Sequence, residues 1–222
     1  MAGALTTPSI LLTGFEPFGG ERLNPSALVA QALHGQHIGG RPVTSLVLPC
    51  VFGDAIAALE QELAAQRPAL VLCLGQAGGR EGVTVERIAV NRDDARIPDN
   101  AGAQPLDRAV LPGAPAAYFS RLPVKALVAA LQAKDVPAAE SLSAGSFVCN
   151  HLFYGLMHAL RRRRSVQAGF VHLPWLPEQV AERPRAFALP LDTQVHAVQH
   201  LLATALQWRG RGDLQRVGGA LD

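Results

Sequence analysis

Ala69-Leu-Val-Leu-Cys-Leu74 runs directly into Gly75-Gln-Ala-Gly-Gly-Arg80. An unbroken apolar run closed by glycine, with no polar alternation, is the pattern of a strand covered on both faces. Such strands belong to sheets with helices packed on each side. The glycine-rich turn then falls at the carboxyl end of a central strand, where open α/β sheets bind their ligands. It fits neither GxGxxG nor the phosphate-loop pattern GxxxxGK[ST], so the turn is not read as a nucleotide cradle. Cys73, inside the run, reads as inert core.

The flanking segments repeat the alternation of strand and helix. Upstream, Ser9 to Thr13 is a short buried strand ended by Gly14. Phe15-Glu-Pro-Phe-Gly-Gly20 follows as a loop whose two phenylalanines either tuck under it as core or form an aromatic binding wall. Asn24-Pro25 reads as an N-cap with proline at the first helical position, opening a helix through about Leu33. A strand over Val43 to Leu48 and a helix from Asp54 to about Ala65 come next. Downstream, Val83 to Asn91 alternates as one strand, with Glu86 on the side opposite Val85 and Arg87. Residues 91–115 form a long irregular excursion rich in Asp, Asn, Pro and Gly, read as a lid or an interface. A helix over Val124 to Ala133, strands over Ala138 to Leu142 and Gln167 to Leu173, and a last helix capped by Asp192 and running to about Trp208 complete the pattern. The tail from Arg209 is expected to fray. The pattern predicts an α/β fold: three α/β/α layers around a mostly parallel central sheet flanked by helices, in one domain over residues 1–222.

Composition narrows the function. With 49% hydrophobic and 17% charged residues the chain is globular, and a net charge of +2 gives no electrostatic case for nucleic acid or a membrane surface. The N-terminal residues lack the features of a signal peptide, and no apolar run approaches the length of a bilayer span. Three scattered cysteines make neither a disulfide framework nor a zinc site, so a cytoplasmic protein with no metal and no cofactor is expected.

One of those cysteines stands apart. In Ser143-Ala-Gly-Ser-Phe-Val-Cys-Asn-His-Leu-Phe-Tyr154, Cys149 follows a glycine turn and opens a helix-like run that ends in four arginines, Arg161 to Arg164. Cations favour a helix C-terminus, and a thiol near the N-terminus is expected to have a lowered pKa. That arrangement suits a nucleophile. Among the seven histidines, His151 lies two residues from Cys149 and points to another face, His34 and His37 sit in a polar connection, and His196 with His200 lacks a third metal ligand. His172 ends the strand that follows the Cys149 helix. In a parallel sheet its tip shares an edge with that helix's start, which makes it the better base. Glu86 is an acid within a strand-like run, read either as the orienting carboxylate or as half of a salt bridge, to Arg87 or another arginine.

These segments resemble a known family. Leu11 to Gly20 with Asn24-Pro-Ser26, Gly75 to Arg80 with Glu86 to Asn91, Ala95 to Asn100, Ala144 to Tyr154, and Gly169 to Gln179 are similar, in order and spacing, to the motifs of pyroglutamyl peptidase I. The resemblance implies a cysteine exopeptidase that removes an N-terminal pyroglutamyl residue from peptides through a thioester acyl-enzyme. It implies Cys149 as nucleophile, His172 as base and Glu86 as its orienting carboxylate. The substrate pocket would comprise Phe15, Phe18, Asn24 and Gln76, with Phe147 and Val148, and Arg96 would assist the oxyanion. It also implies a homo-oligomer, dimer or tetramer. Val85, Ser146 and Trp175 depart from residues common in the family, none of them in the triad. The competing expectation is a non-peptidase enzyme or binding module on a phosphorylase-like α/β fold. It would require a phosphate site, which no motif supplies, or a damaged triad.

Overall fold

The computed structural model describes residues 7–183 and 185–217; the N-terminal residues read for a leader and the last five residues of the tail lie outside them. The chain runs β1 (Ile10–Phe15), α1 (Pro25–Leu33), β2 (His37–Ile38), β3 (Arg41–Leu48), α2 (Asp54–Gln66), β4 (Leu70–Gln76), β5 (Val83–Glu86), β6 (Ile88–Val90), β7 (Ala117–Phe119), α3 (Val124–Gln132), β8 (Ala138–Ser141), α4 (Val148–Ala159), β9 (Gln167–Leu173) and α5 (Leu191–Gln207), with a 3-10 turn over Pro177–Val180.

The main sheet has the order β2-β3-β1-β4-β9-β5-β8. β3, β1, β4 and β9 are parallel neighbours, β8 is parallel to β5, and β5 runs antiparallel to β9. Every residue of β4 and β9 is buried, as the unbroken apolar run Ala69–Leu74 requires of β4. One face packs Ile10, Leu12, Leu70, Leu72, Leu74, Val83, Val85, Val171 and Leu173 against α1, α3 and α5. The other packs Leu11, Val71, Cys73, Ala168 and Phe170 against α2 and α4. Side chains alternate along a strand. Gly75, His172, Thr84 and Glu86 are therefore all assigned to the α2/α4 face, so the three-layer packing has already selected which residues can meet the Cys149 helix.

Two expectations need correction. The alternating stretch from Val83 to Asn91 is two strands: β5 stays in the main sheet, and β6 pairs antiparallel with β7 in a separate two-stranded sheet. Both sheets have the same period of two, so the change of partner at Arg87 leaves no trace in the pattern. Asp192 does not cap α5. Pro190 holds the cap position without a side-chain bond, and Asp192 lies in the first turn, where its charge faces the positive end of the helix. Residues 212–217 of the tail form neither helix nor strand but are anchored at Asp213. Asp213 accepts from the backbone N–H groups of Lys125 at 3.0 Å and Ala126 at 3.1 Å, capping α3, whose Pro123 has no side-chain cap to offer. Finally β2, β7 and the 3-10 turn are too short to leave a periodic signal. The Asn24 cap is present, with Oδ1 accepting from Ser26 N–H at 3.0 Å. Arg161 donates to the His158 carbonyl just past the end of α4, as a cation at a helix C-terminus should. No described helix is long and apolar enough to cross a membrane.

Candidate active site

Cys149 is the second residue of α4, so its N–H, like the others of the first turn, has no acceptor within the helix. The sulfur sits against the sheet at Gly75: a Cβ built there would lie 2.8 Å from Cys149 Sγ and 2.8 Å from Phe170 Cζ. Gly75 is also the register partner of His172 across the β4–β9 pair. The missing side chain thus makes room for the thiol beside the histidine. Gly75→Ala should lower kcat/KM by about 100-fold, because displacing a nucleophile by about 1 Å is enough for a loss of that size. Steady-state kinetics alongside a thermal melt would separate this displacement from unfolding.

His172 is held by Glu86, with Nδ1 and Oε1 2.7 Å apart and both side chains buried. An ionised carboxylate can only accept, so Nδ1 carries the proton and Nε2 is left free to act as a base. The strand acid also makes the ion pair allowed for in its sequence reading, and with a different arginine from its neighbour. Arg80 donates to Glu86 Oε1 at 2.6 Å. Arg87 turns away to Glu140 and Asp213.

Burial acts to raise the pKa of Glu86, but the His172 hydrogen bond and the charges of His172 and Arg80 outweigh it and hold the carboxyl below its ordinary value. Burial pushes His172 down, opposed by Glu86 and assisted by Arg80. The thiol departs from the sequence expectation. Burial pushes Cys149 up, and the Glu86 charge adds to this, so it rests protonated in spite of its place at the helix start. A thiolate there would lose more hydration than the first turn of α4 returns. The chemistry this allows is proton transfer from thiol to imidazole as attack proceeds. Cys50 and Cys73 are likewise buried, and burial drives each up to about 12.

The residues expected around the substrate divide into those that can touch it and those that shape it. Phe15 is fully packed at the end of β1 with Cys149 in the same core cluster, and Val148 is buried beside the thiol. Phe18 is half-buried and meets Phe147 with ring centroids 5.8 Å apart. Phe52, which sequence reasoning missed, stands edge-on to Phe147 at 5.5 Å and completes an aromatic group. Asn24 is committed to the loop: Oδ1 accepts from the Ser26 N–H and hydroxyl, and Nδ2 donates to the Glu16 carbonyl. It can offer a ligand only its second Nδ2 proton.

Gln76 is buried, and its Oε1 accepts from Gln179 Nε2 at 2.9 Å. That bond fixes the amide and frees the Gln76 NH2 to donate. Gln179 is itself held by the Leu176 N–H and the Leu23 carbonyl. Arg96 is exposed on the excursion, and among the described residues no hydrogen bond or ion pair joins it to the triad. Trp175 packs flat on the glycine turn, where a Cβ at Gly78 would come within 2.0 Å of its ring, and Arg183 lies 4.7 Å over the same ring.

The excursion is fastened to α4 rather than to the sheet. Asn150, next to Cys149, pairs with both the N–H and the carbonyl of Val90 and with the Arg92 carbonyl. His151 bonds Asp93 through Nδ1 at 2.8 Å and accepts from Gly53 N–H through Nε2 at 2.9 Å, which removes it from consideration as the base. Asn100 reaches back to Glu16 and the Pro17 carbonyl, bracing the phenylalanine loop. The described residues contain no group of three or more His, Cys, Asp or Glu side chains suited to a metal ion.

Comparison with known proteins agrees over nearly the whole chain. The family model described as pyroglutamyl peptidase matches residues 8–208. The pyrrolidone-carboxylate peptidase of Cupriavidus taiwanensis is 51% identical over 216 residues, covering 96% of this chain and 99% of the relative. That of Streptomyces coelicolor is 53% identical over 212 residues, covering 95% and 98%. The crystal structure of Bacillus amyloliquefaciens pyroglutamyl peptidase I superposes with a TM-score of 0.89 at 41% identity, covering 94% of this chain and all of that one. The pyrrolidone carboxyl peptidase of Thermococcus litoralis superposes with a TM-score of 0.92 at 35% identity, over 95% and 100%.

Proposed function

Because this chain belongs to the pyroglutamyl peptidase family, we propose that it is a cysteine exopeptidase removing N-terminal pyroglutamate from peptides, with Cys149, His172 and Glu86 as its catalytic triad. The observation that carries the reading is Gly75, the register partner of the Glu86-bound His172, whose missing side chain leaves room for the Cys149 sulfur. His172 Nε2 takes the thiol proton as sulfur attacks the pyroglutamyl carbonyl. The Cys149 N–H at the start of α4 stabilises the oxyanion, with Arg96 in the assisting role that family resemblance gives it. The C–N bond then breaks as imidazolium protonates the departing amine. Finally His172 takes a proton from water, which attacks the thioester and returns the thiol and free 5-oxoproline.

Pyroglutamate is a neutral lactam, so a carboxylate grip for an ammonium group would be useless to it. Flat aromatic walls from Phe18, Phe52 and Phe147 suit the ring, and the free Gln76 NH2 suits its carbonyl. A buried donor left unpaired penalises a ring lacking that carbonyl, so N-terminal proline is a poor substrate. Gln179→Ala releases the Gln76 amide and should lower kcat/KM by about tenfold, mostly through KM, the cost of one misdirected hydrogen bond. A comparison of the variant and the parent on pyroglutamyl and prolyl substrates would read this directly.

The deciding experiment is release of fluorophore from a pyroglutamyl-coumarin substrate, with iodoacetamide inactivation blocked by a pyroglutamate analogue. Absence of turnover, or inactivation that the analogue does not slow, would remove the assignment. We place the enzyme in the cytoplasm, a reading that its three free cysteines support. The exposed Leu106 and Phe119 support a homo-oligomer, dimer or tetramer, which sedimentation would count.

A further inference from the structure

We propose that Arg80 is a positioning residue of this reaction, setting the charge balance of the Glu86–His172 pair so that His172 rests neutral and can take the Cys149 proton. The inference rests on the peptidase reading above and adds a residue to it. Arg80 closes the glycine-rich turn after β4, and its guanidinium reaches three residues on two other segments. Nη1 donates to Glu86 Oε1 at 2.6 Å and to the Thr84 hydroxyl on β5. Nη2 donates to the Ser143 carbonyl at 3.0 Å, in the loop that leads into α4. The oxygen it holds is the same Oε1 that His172 Nδ1 uses.

The chemistry needs this balance. A buried carboxylate in direct contact with an imidazole favours the imidazolium, and an imidazolium cannot accept a proton from a thiol that itself rests protonated. A cation on the same carboxylate oxygen reverses the preference without neutralising the carboxylate. With Arg80 present the group of three sums to zero when His172 is neutral; without it the sum is negative, and a proton on His172 is favoured. The charged groups acting on His172 are Glu86 from β5 and Arg80 from the turn, and the Cys149 thiol of α4 packs at Gly75. Its register partner on β4 is Gly75. Arg80 is thus the one positive group in the set. Its side chain is 27% exposed against 0% for Glu86, so it also screens the carboxylate from solvent.

The sign of the effect separates charge balance from mere bracing. Removing Arg80 removes a repulsion felt by the imidazolium, so His172 becomes more basic and the acid limb of kcat/KM moves to higher pH. Arg80→Met should therefore lose about tenfold on the acid limb but only about two- to threefold on the plateau, while Arg80→Lys recovers most of the difference. In Cys149→Ala protein, where the thiol does not titrate, NMR of the His172 imidazole should show protonation at higher pH once Arg80→Met is added. Arg80→Gln keeps a donor for Glu86 without the charge and carries the same test if the methionine variant does not fold. A loss equal at every pH, with the His172 titration unmoved, would overturn the proposal. If the parent protein fails to cleave pyroglutamyl substrates, the peptidase reading falls on its own, and the imidazole titration still decides what Arg80 does.

Discussion

Cys149→Ala should reduce kcat/KM on a pyroglutamyl substrate by about 10⁴-fold or more while leaving the fold in place. The thiol is the only group in the site that can form the acyl bond. His172, Glu86 and the first-turn N–H groups all survive the substitution, but with no nucleophile they can only polarise a carbonyl for water. The buried space lost is one sulfur atom, at a position 8% exposed in the cluster around Phe153 and Phe170. That should cost about 1 kcal/mol and be visible as a small shift in Tm rather than as unfolding. Cys149→Ser should be nearly as inactive. A hydroxyl is a weaker acid than a thiol, and burial has already made His172 a weaker base than usual. Retention of more than about a hundredth of the activity in Cys149→Ala would mean that another group is the nucleophile.

The second large loss is expected for Glu86→Gln, about 10³-fold in kcat with KM little changed. The carboxylate oxygen Oε1 accepts from His172 at 2.7 Å and Arg80 at 2.6 Å at once. An amide oxygen can occupy the same place but carries no charge to hold two donors. If the amide turns instead, its NH2 faces Nδ1 and selects the tautomer with the proton on Nε2, which cannot accept from Cys149. Both outcomes leave the guanidinium of Arg80 with a weaker partner, for a stability loss of about 1–3 kcal/mol. The loss is smaller than for the thiol because an orienting group can be replaced in part by the surrounding packing. Single-turnover kinetics would place it in acylation; an unchanged acylation rate would show that Glu86 does not orient His172.

The parts of this molecule that could be read in advance are those whose signal is local. β4 announces itself as an unbroken apolar run, and α1 by its Asn-Pro cap. The place of Cys149 at a helix start and that of His172 near the end of the next strand are local signals too. Glu86 stood out as an acid within a strand, and family resemblance then gave all three their roles. What escaped depends on partners distant in sequence. Arg80 sits in a glycine turn with nothing to mark it until β5 brings Glu86 alongside. Gln179 directs Gln76 across 103 positions. Phe52 joins the aromatic group from the loop after β3. The thiol's acidity was misjudged for a related reason: the helix start is visible in the sequence, but the depth at which α4 buries it is not.

The bonds that hold this centre together span very different lengths of chain. Glu86 and His172 are 86 positions apart, Gly53 and His151 98, and Val90 and Asn150 60. Only Arg80 and Glu86 are near neighbours, and their contact is useless until β9 arrives. Each of these loops must close, at an entropic cost that no local element repays, before the thiol faces its base. During folding the helices and the β1–β3 pair can therefore form while the centre is still open. No fragment short of the span from β5 through β9 contains Glu86, Cys149 and His172 together, which makes activity a report on long-range assembly rather than on secondary structure.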